Sequence, residues 1–199
     1  MKGKIFNAQE VQALISGNKT QFREVIKFSE NKITREFQEI ALKKISEGFS
    51  EYNVCLRDFF KCPYEVGQKI FCKESFSRGR IIDNQKTIGT CPDIHYWADG
   101  NPKSGAWKGR IPAQHMKQEH SRLTLLIKEI RVERLSEISE EDAIAEGFKN
   151  GFHEVENVGD FPFNAYDSFA KNWNATHKKP EEKFDANPWV WVVSCEVVK

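Results

Sequence analysis

The stretch that most constrains the fold is Gly17-Asn18-Lys19-Thr20-Gln21-Phe22-Arg23, a turn that carries a lysine from a helix into a strand. Upstream, Asn7-Ala8-Gln9-Glu10 has the form of an N-cap with an acidic partner three residues on. Val11, Leu14 and Ile15 follow at helical spacing, and Gly17 suits the left-handed C′ position that ends such a helix. Downstream, Thr20, Phe22 and Glu24 alternate with Gln21, Arg23 and Val25, the period of a strand. Lys19 and Arg23 thus occupy a corner where polar side chains can converge. A lysine past a helix C-terminus also complements the macrodipole, worth ~0.3–1 kcal/mol. A functional role for Lys19 therefore needs a second part of the chain that points to the same place.

The chain has 199 residues, 39% hydrophobic and 30% charged, as in folded proteins rather than disordered ones. Such a length is expected to form a single domain, 1–199, with a sizeable core. A formal net charge of +1 neither favours nor excludes nucleic acid, because charge distribution matters more than its sum. The longest apolar run, Trp189 to Val193, is too short to span a bilayer. Met1-Lys2-Gly3-Lys4 leads into the first element without a signal-peptide core, so a cytoplasmic protein with no membrane contact is expected. Cys55, Cys62, Cys72, Cys91 and Cys195 contain no CxxC pair, and His115 and His120 are five apart rather than four. No metal and no cofactor are expected.

Residues 28–60 read as a helical insertion, with Ile33, Phe37, Ile40, Ala41 and Ile45 as an apolar stripe opposite a Lys and Glu face. Cys62-Pro63-Tyr64-Glu65-Val66-Gly67 is a turn into a strand over 68–76, with Glu74 near its far end. Residues 77–122 read as a long loop region in which Tyr96, Trp97 and Trp107 mix with polar residues. Lys103, Lys108, Arg110, Lys117 and Arg122 outnumber Asp99 and Glu119 there. Cations interleaved with rings suit single-stranded nucleic acid or a nucleobase, and suit a loop pinned by its rings equally well. Leu123–Glu133 is a long strand; Tyr166, Phe169, Ala170 and Trp173 mark an amphipathic helix; and Trp189–Val198 is a strand covered on both faces.

Ser139-Glu140-Glu141-Asp142 opens a short helix with a capping box, and Gly147 closes it. Glu146 falls in its last turn, where the dipole disfavours a carboxylate, a local rule broken without evident gain. These pieces together carry a resemblance. Gly17-x-Lys19-Thr20-x-x-Arg23, Pro63-Tyr64, Gly67-Gln68-Lys69-Ile70-Phe71-Cys72-Lys73-Glu74 and Ser139-Glu140-Glu141-Asp142-Ala143-x-x-Glu146-Gly147-Phe148 resemble the ASCH domain, a PUA-like family. Trp97-Ala98-Asp99-Gly100, His115-Met116, Ser121-Arg122 and Asn187-Pro188-Trp189-Val190-Trp191-Val192 resemble segments of phage and prophage ASCH proteins.

The resemblance implies an α+β fold, a PUA-like (ASCH) small β-barrel with flanking helices and the inserted helical segment. It also implies a polar cleft between the Lys19 turn and the Glu146 helix that holds RNA or a modified nucleoside. Lys19 and Glu146 match the lysine and glutamate of a branch that resembles an amidohydrolase of acetylated cytidine. Phe22 stands where that branch has a threonine, and a phenyl ring can neither attack a carbonyl nor pass a proton. The candidate site is Lys19 and Glu146 as catalytic pair, with Thr20, Arg23, Lys73, Glu74, Trp97, Ser121 and Arg122 as substrate-binding residues. Three functions follow as expectations: a binding module for RNA or a modified nucleoside, an amidohydrolase of an N-acylated base, or a phage accessory protein acting through protein contacts.

Overall fold

The N-terminal helix forms where its capping signals fall. The Asn7 side chain accepts from the Glu10 N–H while the Glu10 carboxylate accepts from the Asn7 N–H, so two otherwise unpaired helix donors are satisfied. The computed structural model describes residues 1–28, 32–48, 60, 62–83, 86–102, 105–155 and 159–198. Cys55, Lys103 and part of the 28–60 insertion lie outside these. The described chain is a mixed α+β protein that divides into two compact units, each built from separate stretches of sequence.

The first unit comprises Met1–Asn18, Gln68–Leu126 and Glu196–Lys199. In it β1 (Lys2–Ile5) runs parallel to β3 (Lys69–Lys73), with Lys2 opposite Ile70 and Ile5 opposite Lys73. Strand β3 is antiparallel to the start of β6 (Thr124–Arg134), with Ile70 opposite Leu125. Helix α1 (Ala8–Ile15) buries Val11 and Leu14. The region expected to be loop over 77–122 is instead half sheet: β4 (Phe76–Asp83) and β5 (Lys86–Tyr96) form an antiparallel hairpin with two register shifts. Asp83 pairs with Lys86, and the interruptions in register hide the strand period from a sequence reading. The chain after Tyr96 returns along β4 through bridges at Gly79–Trp107 and Phe76–Ile111.

The second unit comprises Lys19–Gly67 and Ile127–Cys195. Here β2 (Gln21–Val25) is antiparallel to β9 (Trp189–Val197), whose other neighbour is β6. Trp189 to Val193 are all buried, as a strand covered on both faces requires. Val190 and Val192 join Leu135, Ile138, Phe169 and Trp173 in one core, which α3 (Glu140–Ala145) and α4 (Ala165–Thr176) close. Strands β7 (Gly151–Val155) and β8 (Gly159–Phe163) form a second hairpin. The apolar stripe expected on α2 (Lys32–Ser46) is not its buried face: Phe37 and Ile40 are exposed, whereas Gln38 and Leu42 are buried. The buried face is rotated by about one residue, so a polar Gln38 lies where periodicity alone would put an aliphatic group.

Among the described residues neither unit contains a closed barrel. Strand β1 pairs with β3 alone and β2 with β9 alone, so each unit keeps an open sheet edge where a barrel has none. No helix of the described residues is long and apolar enough to cross a membrane.

Gly17 has φ +72°, and a Cβ built there would meet nothing within 4 Å. Gly17→Ala therefore isolates the cost of left-handed backbone, about 1–2 kcal/mol. The expected drop in Tm is roughly 2–8 °C for a chain of this size, smaller for Gly17→Asn.

Candidate functional site

In the second unit the alternation of β2 turns Gln21 and Arg23 to one face, and Phe22 and Glu24 to the other. On the Phe22 face the Tyr64 ring meets Phe22 edge-on at 5.3 Å, and its hydroxyl donates to Glu24 at 2.7 Å. Burial, and then Glu24, push the Tyr64 phenol far above its ordinary value. Phe22 is thus a packing residue. On the Arg23 face the side chain is fully enclosed and its guanidinium donates to three carboxylates: Glu146 at 3.0 Å, Asp142 at 2.8 Å and Glu133 at 3.1 Å.

Lys19 forms an isolated bridge with Glu146. Its Nζ donates to the Glu146 carboxylate and to the Glu146 carbonyl, both at 2.9 Å, and both residues are buried. The expected pair is therefore in direct contact. The carbonyl belongs to the C-cap of α3, so the lysine offsets the negative end of that helix rather than of α1. Arg131 adds a third cation, donating to Asp142 at 2.7 Å and to Glu133. Lys19, Arg23 and Arg131 match Glu133, Asp142 and Glu146 charge for charge. Burial raises the Asp142 carboxyl, but Arg23 and Arg131 outweigh it and hold the group below its ordinary value of 3.8.

In the first unit Arg122 grips Glu74 in a two-pronged contact at 2.8 and 2.9 Å, and Asp99 at 2.7 and 2.8 Å. The guanidinium also lies 4.2 Å over the Tyr96 ring. The Arg122 bonds pull the Asp99 carboxyl below its ordinary range despite burial. Lys73 donates to the Gln114 carbonyl at 2.7 Å, and Ser121 to the carbonyls of Cys72 and Leu123. Trp97 donates its indole N–H to Ser77 at 2.9 Å, meets His95 edge-on, and has the Arg110 guanidinium 5.5 Å over its ring. A cavity of about 230 Å³ opens beside it, lined by Glu74, Trp97 and Arg110, by Asn7 and Ala8 at the start of α1, and by apolar neighbours such as Phe6.

The expected site residues thus form two groups. Lys19, Arg23 and Glu146 meet in one unit, where Thr20 uses its backbone to pair with Ala145 and Cys195 and leaves its side chain exposed. Lys73, Glu74, Trp97, Ser121 and Arg122 belong to the other unit. Asp142 and Glu133 were missed as partners of Arg23, and Arg131 as a second cation on the same two carboxylates. Their signals exist: Asp142 and Glu146 are four apart on one helix face, and Arg131 and Glu133 flank the buried Val132. Among the described residues no group of histidine, cysteine and carboxylate side chains is arranged to hold a metal. Burial, and then Glu74, push the Cys72 thiol far above its ordinary value, which leaves little of the reactive thiolate.

No family model matches the chain, and no curated protein does. Among solved structures, protein EF3133 from Enterococcus faecalis V583, described by the family model DUF984, is similar at 11% identity and a TM-score of 0.42. That match covers 100% of this chain and 81% of the other. So distant a likeness assigns neither fold nor activity.

Arg23→Met removes the cation shared by three carboxylates and is expected to lower unfolding free energy by about 3–5 kcal/mol in urea titrations. The Asp142 carboxylate has a depressed folded-state value, so its stabilisation is complete above its ordinary 3.8 and is lost as pH falls through the folded value. Thermal melts between pH 6 and about pH 2 should therefore fall less steeply for Asp142→Asn than for the parent chain.

Proposed function

We propose that this chain is a PUA-like protein of the ASCH type that binds RNA or a modified nucleoside, with one base held beside Trp97. The observation that carries this reading is that Trp97, Glu74 and Arg110 line a single cavity. Trp97 offers an aromatic surface on which any base can stack. Arg110 is exposed and cationic, as a contact to the sugar–phosphate chain requires. Each Glu74 oxygen accepts from Arg122 and keeps a further lone pair for an exocyclic amine. Ala8 lies at the start of α1, where backbone N–H groups lack helical partners and suit a base carbonyl. The volume, about 230 Å³, is below the ~300–1,000 Å³ of drug-sized sites and suits one planar base with its sugar outside.

The amidohydrolase reading has one observation in its favour. Lys19 Nζ and Glu146 Oε2 are 2.9 Å apart, within the reach that proton exchange needs. Burial of both groups, the commitment of Glu146 to Arg23 and the packing of Phe22 on Tyr64 weigh against it.

Anisotropy titration of a labelled single-stranded RNA, with free nucleosides as competitors, tests the binding reading. Trp97→Ala is expected to weaken binding about 5- to 150-fold, the value of one stacked base. Arg110→Ala should lower the salt slope by about one. No binding of RNA or nucleoside at low salt, or unchanged binding by Trp97→Ala, refutes it. Mass spectrometry of acetylated cytidine incubated with the parent chain and Lys19→Ala decides the enzyme reading: turnover that the variant loses would establish it.

A further inference from the structure

The second unit contains a different group of side chains that none of the above uses. Arg134, at the end of β6, lies with its guanidinium 4.2 Å over the ring of Trp189, the first residue of β9. Of its five N–H donors, one has a partner among the described residues, from Nη1 to the Asn187 carbonyl at 3.1 Å. Trp189 is buried and its own indole N–H has no partner among them either. Two cavities, of about 560 and about 620 Å³, share Glu39, Arg134 and Trp189 in their walls.

The walls sort by chemistry. In the first cavity Val25, Ile26, Phe28 and Pro188 supply an apolar side. Acids are present in both walls: Glu39 pairs with Arg35, Glu182 with Lys179 and Glu47 with Lys44, Glu137 accepts from the Arg134 backbone N–H, and Glu181 lines the first cavity. Lys27 and Lys43 line the cavities without an ion-pair partner among the described residues. Among the described residues none of these carboxylates accepts from the Arg134 guanidinium, whose one hydrogen-bond partner is the Asn187 carbonyl. A planar fork stacked on an indole, pre-oriented and with most donors unused among the described residues, is the arrangement that takes an oxyanion with two parallel hydrogen bonds.

We infer that Arg134 and Trp189 form a binding site for a small organic oxyanion, a carboxylate or phosphate monoester whose apolar body lies against Ile26, Phe28 and Pro188. The volumes lie within the ~300–1,000 Å³ of small-molecule sites. Lys27 contributes long-range attraction at the rim. The site is separate in residues from the Trp97 cavity, and it stands or falls without regard to RNA binding.

The test uses the full chain labelled at tryptophan indole nitrogens, titrated by NMR with phenyl phosphate, phenylacetate and inorganic phosphate. Phenyl phosphate or phenylacetate is expected to shift the Trp189 indole resonance saturably, and inorganic phosphate more weakly. Arg134→Met keeps an unbranched chain over Trp189 without charge and should cut affinity tenfold or more. Arg134→Lys keeps the charge without the fork and should fall between. Lys27→Ala, at an exposed position, should cost two- to five-fold and guards against misfolding of the Arg134 variants. Which of the two aryl anions binds more tightly identifies the preferred oxyanion. Failure of both to shift Trp189, or parent-like affinity in Arg134→Met with the fold intact, overturns the inference.

Discussion

The guanidinium of Arg23 is the contact on which the second unit depends. It reaches carboxylates from β6 and from α3 and its following cap, and its own side chain has no exposure to water. Taking such an ion out of water costs several kcal/mol, and only near-complete pairing returns that amount. The charge match of three cations to three carboxylates supplies the pairing. The net stabilisation is therefore modest, but the geometry is demanding: a shift of β2 by one residue would turn Arg23 to the Tyr64 face and bury Phe22 among carboxylates. The network fixes register more than it adds stability.

This changes the meaning of the Lys19 and Glu146 contact. Two residues that a family resemblance marks as a reactive pair also satisfy each other and a helix end. A buried lysine with two oxygens at 2.9 Å is as good a cap as it is a base in waiting. The Trp97 cavity differs because the Glu74 carboxylate in its wall is already paired with Arg122, so a flat, neutral base can enter without stranding that charge. That contrast is why the binding reading is placed beside Trp97 rather than beside Lys19.

Much of the frame was legible in the sequence. The Asn7–Glu10 box, the Gly17 turn, the β2 alternation and the doubly covered β9 follow from local rules and occur where those rules put them. The β4–β5 hairpin was not legible, because two register shifts interrupt its period and its residues are mixed with glycine. The α2 face was misread because tertiary contacts, not the apolar period, choose to bury Gln38 and Leu42. Of the candidate site, Lys19 and Glu146 were named together through the family resemblance, which implied a polar cleft between them rather than the direct contact of two buried side chains. The role of Arg134 was not anticipated, since nothing local distinguishes a stacked arginine from a surface one.

Helix α3 has six residues, far fewer than the ~12–15 at which an isolated helix becomes even marginal in water. Gly147 and Phe148 meet the carbonyls of Ile144 and Ala143, but the last two are met from outside: the Thr20 N–H takes that of Ala145 at 2.8 Å, and Lys19 takes that of Glu146. The helix thus borrows its termination from a stretch more than a hundred residues earlier in the chain. It keeps its own Ser139 cap and its Gly147 and Phe148 bonds, but loses partners for its last two carbonyls once that stretch leaves, and the stretch loses Asp142 and Glu146 if the helix unwinds. The two segments are therefore joined where the chain order separates them, and local opening at the Ala145 and Glu146 carbonyls disturbs both at once.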